Sequence, residues 1–214
     1  MKLHGFWRSS ATWRVRIALN FKGLGYEYVP IHLQRDGGEQ HAHAFALLNP
    51  MKHVPVLTLT HEGKTHHVSE SLAIIELLEE LVPEPALLPR DTIARARARQ
   101  LALLVSSGIQ PLVNTKVRAF VDGTLHSDAN AWCRHWLTLG LNALEALLPE
   151  SAGRFAVGDQ PSIADVCLVP QLFMARLMKV DLGAYPTIVA IESACATIPA
   201  FERAEPHFQP DAEP

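Results

Sequence analysis

Lys2-Leu3-His4-Gly5-Phe6-Trp7-Arg8-Ser9-Ser10-Ala11-Thr12-Trp13-Arg14-Val15-Arg16-Ile17-Ala18 is the stretch on which the reading of this chain turns. Lys2 to Phe6 reads as a short strand. Ser9-Ser10-Ala11-Thr12 then opens a helix whose apolar positions Trp13, Val15, Ile17, Ala18 and Phe21 run toward Gly23 and Gly25, which supply a stop. A helix that starts so soon after a strand presents its first N–H groups and its positive end at the strand's tip, where an anion is favoured. A thiolate at Ser9-Ser10 would be stabilised there, because a hydroxyl that donates to sulfur also favours the charged form. The plainer reading is that Ser9 or Ser10 caps the helix and does nothing more. Position 11 is alanine, so the chain has no thiol of its own at this helix start with which to run thiol–disulfide exchange.

Outward from this stretch, strand and helix patterns alternate for the first 90 residues. Tyr26-Glu27-Tyr28-Val29-Pro30-Ile31-His32 has strand composition, and Pro30, which cannot donate to a ladder, places it at a sheet edge. Gly37-Gly38-Glu39 marks a loop and Ala42 to Leu48 a short helix. Val56–Thr60 and Thr65–Val68 form a hairpin about His61-Glu62-Gly63. Ser69-Glu70-Ser71 begins an amphipathic helix with Leu72, Ile75, Leu78 and Leu81 on one face. The order is β-α-β-α-β-β-α.

Pro83, Pro85 and Pro89 end that pattern and suit a linker. Beyond them the chain reads as helix only, at about 92–121, 128–148, 162–178, 187–197 and 200–205, with a proline-bearing tail from Pro206 expected to lie extended on the surface. Ser162-Ile163-Ala164-Asp165 is a capping-box pattern at the start of a buried helix. The expected organisation is an α/β domain over 1–83, a linker over 84–90 and an all-α domain over 91–214.

A net charge of −3 argues against a sequence-independent grip on nucleic acid or anionic lipid. The sequence lacks a run of about 18 apolar residues and an apolar leader, so the expected location is the cytoplasm. Cys133, Cys167 and Cys195 are odd in number and far apart within apolar helical patterns, which reads as reduced packing residues. His41-x-His43 and His66-His67 bring too few converging ligands for a closed site, and no metal is expected.

Two further segments carry possible ligand chemistry. In Asn49-Pro50-Met51-Lys52-His53-Val54-Pro55, a cis Val54–Pro55 bond would turn the Val54 peptide groups outward, toward a ligand's own peptide unit. The other reading is an ordinary trans proline at a strand entry. At Glu70-Ser71, the hydroxyl and first N–H groups of a helix could hold a carboxylate while Glu70 takes an ammonium; the other reading is that Ser71 serves only the helix start.

Taken together, Phe6 to Leu19, Asn49 to Pro55 and Ser71 to Glu76 resemble zeta-class glutathione transferases, the family of maleylacetoacetate and maleylpyruvate isomerases. The likeness continues through Gly108-Ile109-Gln110-Pro111-Leu112, Val157 to Gln171 and Lys179-Val180-Asp181-Leu182. The resemblance implies a thioredoxin-like domain followed by an all-α domain, a homodimer, and glutathione as cofactor. It assigns Ser9, Ser10 and Arg14 to the glutathione motif, Gln40, Val54 and Pro55 to its peptide contacts, Glu70 and Ser71 to its glutamyl contacts, and Gln110 and Asn114 to contacts from the helical part. Two positions depart from the family pattern. Ala11 stands where relatives usually have cysteine, and Arg176 is one position out of register with their arginine.

The activity implied is glutathione-dependent cis-to-trans isomerisation of a maleyl diacid in the breakdown of aromatic compounds such as tyrosine. Ser9 or Ser10 would support the thiolate, and Arg8 or Arg176 would neutralise carboxylates of the substrate. The alternatives are net glutathione conjugation or dehalogenation, and a non-catalytic binding role.

Overall fold

The computed structural model describes residues 1–213. Its first secondary-structure elements follow directly from the opening stretch. Four residues separate β1 (Lys2–Gly5) from α1 (Ser10–Phe21), and α1 stops at Lys22, after which Gly23 takes a positive φ of 66°. Thr12 through Leu19 are all buried, so α1 is a central helix covered on every side. β2 (Glu27–Pro30) runs parallel to β1, and the sheet order β2-β1-β3-β4 leaves β2 at an edge, where Pro30 costs no ladder bond.

After α2 (His43–Leu48) the chain forms β3 (Val56–His61) and β4 (Lys64–Ser69), an antiparallel hairpin. Glu62 and Gly63 both adopt positive φ at its turn, 48° and 75°, the pairing that lets two strands join without splaying. α3 (Ser71–Leu81) closes the pattern and packs on α1. This is a thioredoxin-like arrangement of a four-stranded mixed sheet with helices.

The remaining elements are α4 (Thr92–Leu103), α5 (Thr115–Gly123), α6 (Ala129–Leu147), α7 (Ile163–Leu177), α8 (Pro186–Ala196) and the short α9 (Pro199–Glu202). The single helix expected over 92–121 is broken. α4 loosens into a π-helical segment at Leu104–Ile109 and then a 3₁₀ turn at Gln110–Val113. Asn114 starts α5 afresh by accepting the Val117 N–H at 3.0 Å. Pro111 has no N–H with which to continue the helix. Gly140 on α6 makes room for Ile109, since a Cβ there would lie 2.3 Å from that side chain. All three cysteines are buried and form no disulfide.

The chain divides into two compact units, Met1–Ala86 with Pro199–Pro214, and Leu87–Ile198. Residues from Pro199 therefore pack with the sheet unit, whereas the sequence reading placed everything from 91 to 214 in the helical part. The reason is specific. The buried Arg16 donates from Nε to the Ala204 carbonyl at 2.9 Å and Asn20 donates to the Ala200 carbonyl at 3.3 Å, while Phe201, Ala204 and Pro206 are buried. The tail is thus not simply extended: it makes a 3₁₀ turn at Pro206–Phe208 and returns polar groups to the sheet unit.

Candidate active site

The sheet register gathers the site in the first unit. His4 pairs with Val56 and Val56 with Ser69, while Gly5 lies beside Pro30. The end of β1, the start of β3 and the ends of β4 and β2 are therefore at one edge of the sheet. Four segments leave from that edge: Phe6–Ser9 into α1, the loop after β2 that carries Gln40, the Val54–Pro55 approach to β3, and Glu70–Ser71 into α3. Phe6, Val54, Val56 and Phe45 share one apolar cluster, against which Trp7, Ile31, Leu33 and Leu48 pack, so three of these segments rest on common ground.

At the start of α1, Ser9 is the cap, and its Oγ accepts the Thr12 N–H at 3.2 Å. The capping reading of Ser9 is therefore met. It leaves the hydroxyl proton available to donate elsewhere, since Oγ accepts through a lone pair. Ser10 is the first helical residue. Both serines are half-buried and stand where the unmatched N–H groups of α1 emerge. The connection before them is fixed from within: Ser9 N–H donates to the Phe6 carbonyl at 3.0 Å and Phe6 N–H to Thr12 Oγ1 at 3.4 Å. Thr12, fully buried, was not singled out from the sequence; the adjoining Gly5, whose Cβ would lie 2.3 Å from the Thr12 methyl, is the signal that could have found it. The Arg8 guanidinium lies 5.2 Å from the centre of the Trp7 ring.

The Val54–Pro55 bond is cis, the first of the two readings its sequence allows. The loop before it is held by Asn49, which donates to the His53 carbonyl at 2.8 Å and accepts the Met51 N–H at 3.1 Å. Gln40 is buried. Its Nε2 donates to the Leu33 carbonyl at 3.3 Å, whereas its Oε1 is a buried acceptor to which no group among the described residues donates. A ligand N–H would satisfy it.

Glu70 sits at the cap position of α3 with φ 69° and ψ 115°, backbone that a residue with a Cβ adopts only at a cost of order 1–3 kcal/mol. Its side chain is exposed and makes no capping bond to the helix. Ser71 begins α3 and is buried, and its Oγ accepts from Arg14 Nη1 at 3.3 Å. Arg14 is buried within α1, where it ties the helix to the first residue of α3 rather than facing water.

In the helical unit, Gln110 opens the 3₁₀ turn and Asn114 caps α5; both are half-buried. Arg176 lies in the last turn of α7 with both terminal nitrogens donating to the Glu192 carboxylate on α8. That fork-to-fork pair neutralises its charge locally and raises its pKa. The exposed pair is a poor beginning for an arginine meant to meet a substrate anion.

Chemically, the sheet edge offers a helix N-terminus with two hydroxyls for an anion, a buried amide oxygen for a donor, and a carboxylate on strained backbone for a cation. A molecule that carries an anionic group, an amide N–H and a cationic group fits them.

Comparison with known proteins bears on what that molecule is. The family model for the glutathione S-transferase N-terminal domain matches residues 3–86, and that for the C-terminal domain matches residues 139–203. The maleylacetoacetate isomerase of Rattus norvegicus is 47% identical over 209 residues, covering 98% of this chain and 94% of that protein. A solved holo structure of a maleylpyruvate isomerase, a bacterial zeta-class glutathione transferase, superposes with a TM-score of 0.93 at 44% identity, with all of both chains covered. The maleylacetoacetate isomerase of Anaeromyxobacter dehalogenans with glutathione in its active site gives a TM-score of 0.92 at 45% identity, over 99% of this chain and 97% of that one.

Proposed function

Since the chain belongs to the zeta-class glutathione transferase family, we propose that it is a glutathione-dependent isomerase that converts a maleyl diacid, maleylacetoacetate or maleylpyruvate, to its trans isomer. The observation that carries this reading is the α1 N-terminus with Ser9 and Ser10, set at the same sheet edge as Gln40, the Val54–Pro55 segment and Glu70. Bound glutathione would supply a nucleophilic sulfur whose reversible addition to the maleyl double bond permits rotation, so that it is required but not consumed.

The chain's own residues do the rest. Ser9 or Ser10 donates a hydrogen bond to the thiolate, and the α1 N–H groups add the positive end of the helix. Together these favour the ionised sulfur, at about 1.4 kcal/mol for each unit of pKa lowered. Arg14 holds Ser71, which with Glu70 receives the ligand's glutamyl end, Glu70 taking the ammonium. The Val54 main chain and Gln40 take the peptide units, with Pro55 fixing the turn. Arg8 is the cation we assign to the substrate's carboxylates and to charge that develops as the bond order falls. Gln110, Asn114 and Arg176 enter by family likeness alone, and the Glu192 pairing makes Arg176 the weaker choice beside Arg8.

We further read the enzyme as a cytoplasmic homodimer acting in aromatic-compound breakdown such as tyrosine catabolism. Three buried cysteines without a disulfide suit a reducing compartment, and among the described residues no helix is long and apolar enough to cross a membrane. The exposed Ile93 and Leu103 on α4, at 76% and 50%, give a second copy something apolar to cover.

The test follows maleylacetoacetate and maleylpyruvate by absorbance with and without glutathione while total thiol is measured in the same cuvette. Glutathione-dependent isomerisation with thiol conserved is expected. Loss of thiol in step with turnover would replace isomerisation by conjugation, and glutathione binding without turnover would leave a binding role.

A further inference from the structure

The loop that presents the two serines is gripped from a place far away in sequence. Trp7, two residues before the cap Ser9, has both of its peptide groups held by charged side chains. Its N–H donates to Asp211 Oδ2 at 3.0 Å and its carbonyl accepts from Arg16 Nη2 at 2.9 Å. Hydrogen bonds to ionised partners are about twice as strong as those between neutral groups. Arg16 is fully buried on α1, and its Nε holds the Ala204 carbonyl, so one guanidinium joins the serine loop to the returning tail. Asp211 is seated in turn by the Tyr28 hydroxyl, which donates to the same Oδ2 at 3.3 Å. Two residues further on, Glu213 meets His32 at 3.0 Å and Arg35 at 3.3 Å.

We propose that Asp211 is a positioning residue for the active-site loop, holding Trp7 so that Ser9 and Ser10 present their groups to the thiolate and Arg8 its guanidinium to the substrate's carboxylates. The tail is then a working part of the site rather than a trailing end. The proposal rests on the reading of Ser9 and Ser10 as the thiolate's donors, but the grip on Trp7 is a property of the chain alone. Tyr28 bonds to Asp211 and bears on Arg16, so its removal loosens the seat of both while leaving the Asp211–Trp7 bond itself in place, which separates loop positioning from general anchoring of the tail.

Two readouts on the full chain test this. One is the rate of tryptic cleavage after Arg8, followed by mass spectrometry without glutathione. The other is the ultraviolet titration of the bound glutathione thiolate, taken with kcat and KM for glutathione. Asp211→Ala should speed the cleavage roughly tenfold, the loss expected when one charge-assisted bond is removed, and move the thiolate titration upward with a fall in kcat at neutral pH. Asp211→Asn keeps an acceptor oxygen for the Trp7 N–H and should restore most of both. Tyr28→Phe should lower the thermal midpoint and leave the thiolate titration near wild type. Should Asp211→Ala not fold, Asp211→Leu, which keeps side-chain volume but has no acceptor, is put through the same two measurements. Unchanged cleavage and unchanged titration in a folded Asp211→Ala protein overturn the proposal. A wild-type chain with no glutathione thiolate signal would refute the functional reading, and the cleavage rates would still decide the positioning one.

Discussion

At the residue scale, two side chains make predictions that do not depend on each other. His4 lies on β1 with its Nε2 at 3.2 Å from Thr58 Oγ1, which also lies 2.9 Å from His67 Nδ1. Burial first, then the charges of His67 and Lys2, push its pKa below 6.5, against a smaller opposing pull from Glu27. A base whose pKa falls on folding is held neutral by the native state, so its contribution is complete above pH 6.5 and is lost as pH drops through that value toward the lowered one. The thermal midpoint of His4→Gln should therefore decline less than that of wild type between about pH 7 and about pH 5; parallel curves would remove His4 from the account. Glu70 makes the other prediction. Glycine adopts its positive φ without a Cβ penalty but costs entropy in the unfolded chain, so Glu70→Gly should leave stability within about 1 kcal/mol of wild type. The same change should raise KM for glutathione roughly tenfold, the loss of one hydrogen bond to a charged group. An unaltered KM would show that the strain at this position serves something else.

At the scale of elements, caps decide where helices begin. α7 starts at a reciprocal box in which Ser162 Oγ accepts the Ala164 N–H at 3.3 Å and Asp165 accepts the Ser162 N–H at 2.8 Å. Asp165 goes further than capping. Fully buried, it also takes the Ala156 N–H at 2.8 Å and the Ser162 hydroxyl at 2.9 Å, tying the preceding loop to the helix start. Asp165→Ala strands several buried donors at once and should cost about 3 kcal/mol, read as a lower urea midpoint at unchanged slope. A loss under about 1 kcal/mol would mean that water or a shifted loop replaces the carboxylate. The box pattern is visible in four consecutive letters of sequence; the additional bond to Ala156 is not, because nothing local connects positions 156 and 165.

At the scale of the whole molecule, the sheet unit is discontinuous in sequence and takes in residues from Pro199 onward. A fragment of residues 1–86 would lose the Ala204 carbonyl that meets Arg16, the Ala200 carbonyl that meets Asn20, and the Asp211 carboxylate that meets Trp7 and Tyr28. A buried guanidinium deprived of its partner costs more than the bond it made was worth. The fragment is expected to unfold without a sharp urea transition, and joining residues 199–214 to it through a flexible linker should restore one. A sharp transition in the bare fragment would show residues 199–214 to be dispensable for folding.

The sequence by itself determined the features governed by a few neighbouring residues. Pro30 marked the edge strand, Glu62-Gly63 the hairpin turn and Ser162 with Asp165 the start of α7. Ser9-Ser10 marked a helix beginning at a strand's tip. Each rests on φ limits, capping hydroxyls or missing N–H groups that act within about one turn. The family motifs added the residues of the site, but not how they are held. Only the tertiary structure decided that Arg14, which the resemblance assigned to the glutathione motif, and Arg16 are buried ties to Ser71 and to the tail. It also decided that the helix expected over 92–121 is interrupted before Asn114, and that the proline-bearing tail turns back on the sheet unit. Arg16 and Ala204 are 188 positions apart. Whether a charged side chain faces water or a distant carbonyl depends on where the rest of the chain returns, and no local pattern carries that information.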